Sequence, residues 1–307
     1  MNNNVPIIIA VDAGNGNIKT ENTFIKSGLE HYRAEPSVST EYMRIDDDYY
    51  VIGEGHVTYQ GDKTSSEDNR ILTLAGIVRE LAFRGIESAR IHLAVGLPLG
   101  WCSRQQKDEL SAYLMRDPIV DIIYKGSTYH IDILSVSVYP QGFAAVCGRY
   151  SMRGINMIAD LGNGTLNLMQ IIDGKPIESS VITERIGVDS CMREIQKELS
   201  RVYSDDVPES LIEPYLINGC SGSETAIANV VKRIATDYCD EIWKKLVSSG
   251  YKAGLMRLYV IGGGGQILRH YSCRPLQEEG IVVLDDICAN AKGYAYLERQ
   301  RMKMSEG

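Results

Sequence analysis

A chain of 307 residues, 44% hydrophobic and 23% charged, is too long for one small core and is expected to fold into two domains of ordinary size. Its net charge of −8 and pI near 5.3 argue against direct wrapping of nucleic acid, which needs a basic surface, so any dealing with DNA is expected to pass through an adaptor. The apolar stretch from Val5 to Val11 is strand length, well short of the roughly 20 residues that span a bilayer, and neither a signal peptide nor a transmembrane helix is expected.

Taken in chain order, the first half opens with predicted strands at about 5–12, 17–25 and 32–38. A turn-rich segment through Asp46-Asp47-Asp48 and Gly53-Glu54-Gly55 follows. A helix is predicted at about 67–84, capped by Ser65 or Ser66 and stopped by Gly85, with Ile71, Leu74, Ala75, Val78, Leu81 and Ala82 on one face. Next come a buried strand from Ile91 to Leu97, a helix capped by Ser103, and a hairpin from Ile119 to Leu134 around Lys125-Gly126-Ser127. Tyr139-Pro140-Gln141-Gly142 is read as the start of a helix to about Tyr150.

The second half restarts this pattern, with predicted strands at about 155–161, 165–172 and 177–183 and a helix at about 188–202. A looser stretch contains Pro208 and Pro214. Ser223 is read as the cap of a long helix to about Ser249, and a buried strand from Leu255 to Ile261 runs into Gly262, Gly263, Gly264 and Gly265. A final helix is predicted from about Asp285 to Met302. The seven cysteines are scattered, never in C-x-x-C spacing, and read as buried thiols of a cytoplasmic protein.

One five-residue pattern occurs twice, each time after an apolar strand: Asp12-Ala13-Gly14-Asn15-Gly16 and Asp160-Leu161-Gly162-Asn163-Gly164. A strand that ends in Asp and folds back through glycines can aim backbone N–H groups at anionic oxygens while the carboxylate holds a cation beside them. A single copy is commonly an ordinary hairpin turn, where Gly and Asn supply positive φ. Two copies, each followed by β-rich sequence, imply duplicated half-molecules that face each other.

Five segments in order resemble the nucleotide-binding core of the actin, sugar kinase and heat-shock chaperone superfamily. They are Asp12 to Lys19, Tyr139 to Val146, Asp160 to Thr165, Tyr259 to Gln266 and Asp286 to Tyr296. A finer resemblance is to the bacterial plasmid-segregation actins of the ParM or StbA type. It rests on Asp12, Gly14, Gly16, Asn17 and Lys19, on Val95-Gly96-Leu97-Pro98-Leu99, and on Tyr139-Pro140-Gln141-Gly142.

The resemblance implies an α/β, ribonuclease H-like fold: duplicated domains with mixed five-stranded sheets flanked by helices and a nucleotide cleft between them. Domain I would be 1–154 plus 286–307, with a small rim near 30–66. Domain II would be 155–285, with a helical rim near 190–252. The implied cofactors are ATP or GTP and Mg²⁺. Asp12 and Asp160 would hold the metal through water, and the N–H groups of Gly14, Asn15, Gly16 and Asn17 would contact the β- and γ-phosphates. Lys19, seven residues after Asp12 as in actin, would reach the β-phosphate. Gly162, Asn163, Gly164 and Thr165 would clamp the phosphates from the other domain. Gln141 would orient the hydrolytic water, with Asp160 assisting. The four glycines at 262–265 would let a purine lie flat on the backbone.

The implied function is a filament-forming ATPase that segregates plasmid DNA through a DNA-binding adaptor on a centromere-like site, with no direct nucleic-acid or membrane contact. The alternative is a non-polymerising member of the superfamily or a small-molecule kinase, which would need a carboxylate base at an acceptor hydroxyl.

Overall fold

The computed structural model describes residues 5–37, 41–54, 66–223, 225–276 and 280–305, so Gly55 and Ser65 of the sequence reading lie outside the described residues. The chain divides into two compact units, Met1–Tyr150 with Cys288–Gly307, and Ser151–Ile287. No helix among the described residues is long and apolar enough to cross a membrane.

The first unit contains β1 (Ile7–Ala13), β2 (Asn17–Lys19), β3 (Phe24–Lys26), β4 (Leu29–Tyr32), β5 (Tyr42–Ile45), β6 (Asp48–Ile52) and α1 (Glu67–Arg84). These are followed by β7 (Ser88–Leu97), α2 (Arg104–Leu114), β8 (Ile119–Tyr124), β9 (Ser127–Pro140) and α3 (Phe143–Val146). The second unit runs through β10 (Ile155–Leu161), β11 (Leu166–Ile172), β12 (Lys175–Pro176), β13 (Ile182–Glu184), α4 (Val188–Tyr203) and α5 (Glu209–Asn218). It continues with α6 (Ala226–Ser248), β14 (Arg257–Ile261), α7 (Gly264–Tyr271) and β15 (Ile281–Val283). The last helix, α8 (Ala289–Ser305), returns to the first unit.

Both units contain the same mixed sheet. In the first, β3-β2-β1 are antiparallel and β1-β7-β9 parallel, and the path continues through antiparallel β8-β5-β6-β4. In the second, β12-β11-β10 are antiparallel and β10-β14-β15 parallel, and β13 also pairs with β11. The α/β class and the repeated five-strand arrangement expected from the sequence are therefore present. Four more strands extend the first sheet, whereas the second unit adds helices α4 to α6.

Strand alternation explains how the first sheet is covered. Ile9 and Val11 of β1 share a core with Ile71, Leu74 and Val78 of α1, and Ala10 turns to the opposite face with Ala94, Ala144, Ala291 and Tyr294. Small residues let α8 and α3 approach closely: a Cβ on Gly293 would come within 2.0 Å of the Ala144 carbonyl oxygen. Helix α1 follows its local signals. The Ser66 side chain accepts from the Asn69 N–H at 3.3 Å, and Gly85 ends the helix at φ 67°.

Several predicted boundaries move for physical reasons. The strand expected at 17–25 breaks after Lys19, where the Thr20 N–H closes a turn onto the Thr23 carbonyl at 2.8 Å. The strand expected at 177–183 becomes β12, a short 3-10 turn over Glu178–Ser180, and β13. The helix expected from Tyr139 is still strand through Pro140, which lies opposite Leu97, and only Phe143–Val146 is helical after Gly142 turns at φ 75°. The stretch with Pro208 and Pro214 is helix α5. Pro214 is exposed, and burial of Ile212 and Leu216, each about 1.5–3 kcal/mol, offsets the cost of a proline inside a helix. Thr225 rather than Ser223 caps α6, accepting from Ala228 N–H at 3.1 Å, and α8 starts at Ala289 rather than near Asp285. Of the seven cysteines, all free thiols, only Cys191, Cys239 and Cys288 are buried, and Cys273 is exposed.

Candidate functional site

Asp12 ends the buried part of β1 and is itself 2% exposed. Antiparallel pairing sets Lys19 of β2 directly opposite, and Lys19 Nζ lies 3.3 Å from Asp12 Oδ2. The other carboxylate oxygen, Oδ1, accepts from Gln141 Nε2 at 3.0 Å. Gln141 is held there by its backbone, since its N–H donates to the Leu97 carbonyl at 2.8 Å, at the Gly96-Leu97-Pro98 strand end. The next N–H, that of Gly142, donates to Asn290 Oδ1 of α8 at 2.8 Å. Of the site residues read from the first half of the sequence, Asp12, Lys19 and Gln141 therefore meet in one hydrogen-bonded group. A buried carboxylate without partners would be costly, and here both of its oxygens are engaged.

The turn that follows Asp12 is closed from inside. The Gly14 N–H donates to the Asp12 carbonyl at 3.0 Å and to the Asn17 carbonyl at 3.1 Å. A Cβ on Gly14 would sit 2.9 Å from the Asn17 oxygen, so this position needs glycine. The sequence reading gave the Gly14 N–H to a phosphate. The structure spends it on the turn itself, which leaves Asn15, Gly16 and Asn17 to present the loop.

Beyond Lys19, the Thr20–Thr23 turn is tied down by Glu80 of α1, a residue the sequence reading missed. Glu80 is fully buried and accepts from Thr20 Oγ1 at 2.5 Å, Asn22 Nδ2 at 2.6 Å and Arg84 Nε at 2.8 Å. Burial alone would raise its carboxyl pKa, but these hydrogen bonds and the Arg84 charge outweigh it and hold the group below the usual carboxylate range. In the helical spacing of α1 it falls opposite the face of Ile71, Leu74, Ala75 and Val78, where a charged residue ordinarily meets solvent, so the sequence carried no signal of its burial.

The second turn repeats the backbone of the first. Asp160 is 6% exposed at the end of β10, and the Gly162 N–H donates to the Thr165 carbonyl at 2.9 Å, as Gly14 does to Asn17. Helix α4 starts directly against it: Val188 and Asp189 N–H groups donate to the Gly162 and Asn163 carbonyls at 3.0 and 2.9 Å. Gly187 is required there, because a Cβ would lie 2.2 Å from the Asn163 oxygen.

The glycine run is closely packed against its neighbours. Gly262, at φ 88°, packs its Cα against the Leu161 carbonyl, where a Cβ would approach to 2.5 Å. Gly264 and Gly265 are buried in the first turn of α7, and Cβ atoms there would meet Leu161 Cγ at 2.2 Å and Val283 Cγ1 at 2.9 Å. Of the four, Gly263 alone has open space beside its Cα, and close packing requires glycine at the other three.

A mixed five-strand sheet repeated in two units, each with an Asp-led glycine turn after its first strand, defines an actin-like fold. Residues 10–143 match the family of actin like proteins N terminal domain. The archaeal actin homolog Ta0583 is similar over 95% of this chain and 99% of its own, with TM-score 0.78 and 17% identity, and its complex with ADP matches at TM-score 0.74. ParM of Bacillus thuringiensis solved with ATP is similar at TM-score 0.67 and 15% identity, over 96% of this chain and 98% of its own. The Alp12 filament structure matches at TM-score 0.68 and 15% identity, over 97% and 100%. No curated protein sequence matches the chain. The chain is actin-like in fold, and the resemblance to the ParM type read from its sequence stands.

Proposed function

We propose that the chain binds ATP or GTP with Mg²⁺, hydrolyses it, and self-associates into filaments whose disassembly follows hydrolysis. The observation that carries this reading is the Asp12 carboxylate, engaged by Lys19 on one oxygen and Gln141 on the other, beside a glycine turn. Structures of similar proteins with ADP, with ATP and as a filament support it.

The residues fit a magnesium nucleotide. Mg²⁺ is usually held by one or two carboxylates plus phosphate oxygens and water, and no cluster of three or more acidic, His or Cys side chains is needed; none occurs among the described residues. Asp12 and Asp160 would hold it through water, and it would neutralise charge on the phosphates. Lys19 would give up part of its contact with Asp12 to a phosphate oxygen. Asn15 to Asn17 in one turn, and Asn163 to Thr165 in the other, would donate backbone N–H groups. Gln141 is too weak a base to take a proton, so its part would be to accept from and orient the attacking water through Oε1 while Nε2 stays near Asp12.

In the cell this activity would act in the cytoplasm, on plasmid DNA held through a DNA-binding adaptor. Light scattering with Mg-ATP tests the reading. A polymer signal above a critical protein concentration, decaying as phosphate is released, is expected. Saturable phosphorylation of a small molecule without scattering would contradict it and favour a kinase.

A further inference from the structure

Ser27 follows β3 and is 2% exposed. Its Oγ donates to the Gly14 carbonyl at 2.5 Å, and its N–H donates to the Gly16 carbonyl at 3.1 Å, so one residue grips the first turn twice. In a planar trans peptide the C=O and the following N–H point in opposite directions. With the Gly14 and Gly16 carbonyls drawn to Ser27, the N–H groups of Asn15 and Asn17 are aimed at the other side of the loop. Ser27 is itself held in place, because the next residue, Gly28, lies so close to Glu54 that a Cβ would sit 2.3 Å from its carbonyl oxygen.

The second turn reaches the same end with other parts. There the Val188 and Asp189 amides hold the Gly162 and Asn163 carbonyls, which aims the N–H groups of Asn163 and Gly164 away from α4. The carbonyl fixed in both turns is the equivalent one, Gly14 in the first and Gly162 in the second, and its fixing in both indicates that it serves the job of the turn. The N–H to Gly16 would be supplied by any residue but proline at 27; the hydroxyl on Gly14 is the serine's own contribution, and it falls on the carbonyl whose counterpart, Gly162, is also held.

We propose that Ser27 is a positioning residue for phosphate binding, its hydroxyl orienting the Asn15 backbone N–H toward the nucleotide. This rests on the nucleotide reading above. Affinities of the full chain for Mg-ATP and for adenosine, measured by equilibrium titration in the wild type, Ser27→Ala and Ser27→Thr, test it. Ser27→Ala is expected to weaken ATP about tenfold while changing adenosine less than about twofold, as befits the loss of one hydrogen bond aimed at the phosphates. Ser27→Thr, which keeps the hydroxyl, is expected to recover ATP affinity. Unchanged ATP affinity in Ser27→Ala, or equal loss for ATP and adenosine, would overturn the inference alone. A wild type that binds no nucleotide would overturn the nucleotide reading, and this inference with it. Should Ser27→Ala not fold, amide hydrogen exchange in the wild type decides: slowing at Asn15 on adding Mg-ATP supports the proposal, and no slowing there overturns it.

Discussion

The two Asp-led turns share a register but not a chemistry. Asp12 lies opposite Lys19 across β1 and β2, and Asp160 lies opposite Asn167 across β10 and β11, at the same spacing. Lys19 gives its charge to Asp12, whereas Asn167 is buried and turned inward, donating to Thr165 Oγ1 at 3.2 Å and accepting from Thr183 Oγ1 at 2.8 Å. The clips differ too, a serine on a strand end in one unit and the start of a helix in the other. The backbone of the turn is kept and the side chains around it differ: under the proposed function Lys19 and Gln141 at the first turn would bind phosphate and orient water, work that Asn167 at the second does not share.

The largest expected effect is on the charged turn. Asp12→Ala should lower phosphate release from Mg-ATP by on the order of 100- to 1000-fold, since it removes the group that Lys19 and Gln141 share. Asp160→Ala should slow release strongly as well, and a variant with normal turnover would remove Asp160 from the proposed metal-holding residues. The steric lock of the second turn comes next. Gly187→Ala is expected to cost about 3 kcal/mol of stability in urea unfolding, because its Cβ would strike backbone, against about 1 kcal/mol for Gly14→Ala. Equal costs would mean that the second turn is no more rigid than the first.

The charge difference can be read through binding. Lys19→Ala should weaken ATP by about 10- to 30-fold, and Asn167→Ala by less than about threefold, the difference between losing a charge-assisted contact and losing an internal hydrogen bond. Similar losses would erase the distinction. The smallest effect concerns the support beneath Lys19. Glu80 has a folded pKa held below its unfolded value, so its contribution to stability is present above about pH 4.3 and is lost as pH falls through the folded pKa. Glu80→Gln should therefore destabilise at pH 7 by about 1–2 kcal/mol, with the gap from wild type closing as the pH is lowered past about 4.3. A gap constant from pH 7 to pH 3 would show that the carboxylate charge plays no part.

What was legible in the sequence follows how far each signal reaches. Helix α1 was readable to its ends because Ser66, Gly85 and the apolar face are all local. Asp12, Lys19 and Gln141 were readable through resemblance, and the structure brings them together. The helix expected at Tyr139 was not, because β9 is held as strand through Pro140 by pairing with β7, some forty residues away in sequence. Helix α5 was hidden by Pro208 and Pro214, whose local cost is outweighed by tertiary burial of Ile212 and Leu216. The glycines at 262–265 announced close approach but not that Leu161 and Val283 are the residues that crowd three of them. Ser27 and Glu80 gave no motif at all, since their roles exist only once β2, β3 and α1 are packed.

The division of labour is tested most directly by phosphate release and nucleotide binding measured side by side in the wild type and Gln141→Ala. The wild type is expected to release phosphate from Mg-ATP, and Gln141→Ala to do so at least about tenfold more slowly with affinity within about threefold of wild type. Loss of nucleotide binding in Gln141→Ala, or turnover equal to wild type, would contradict the account.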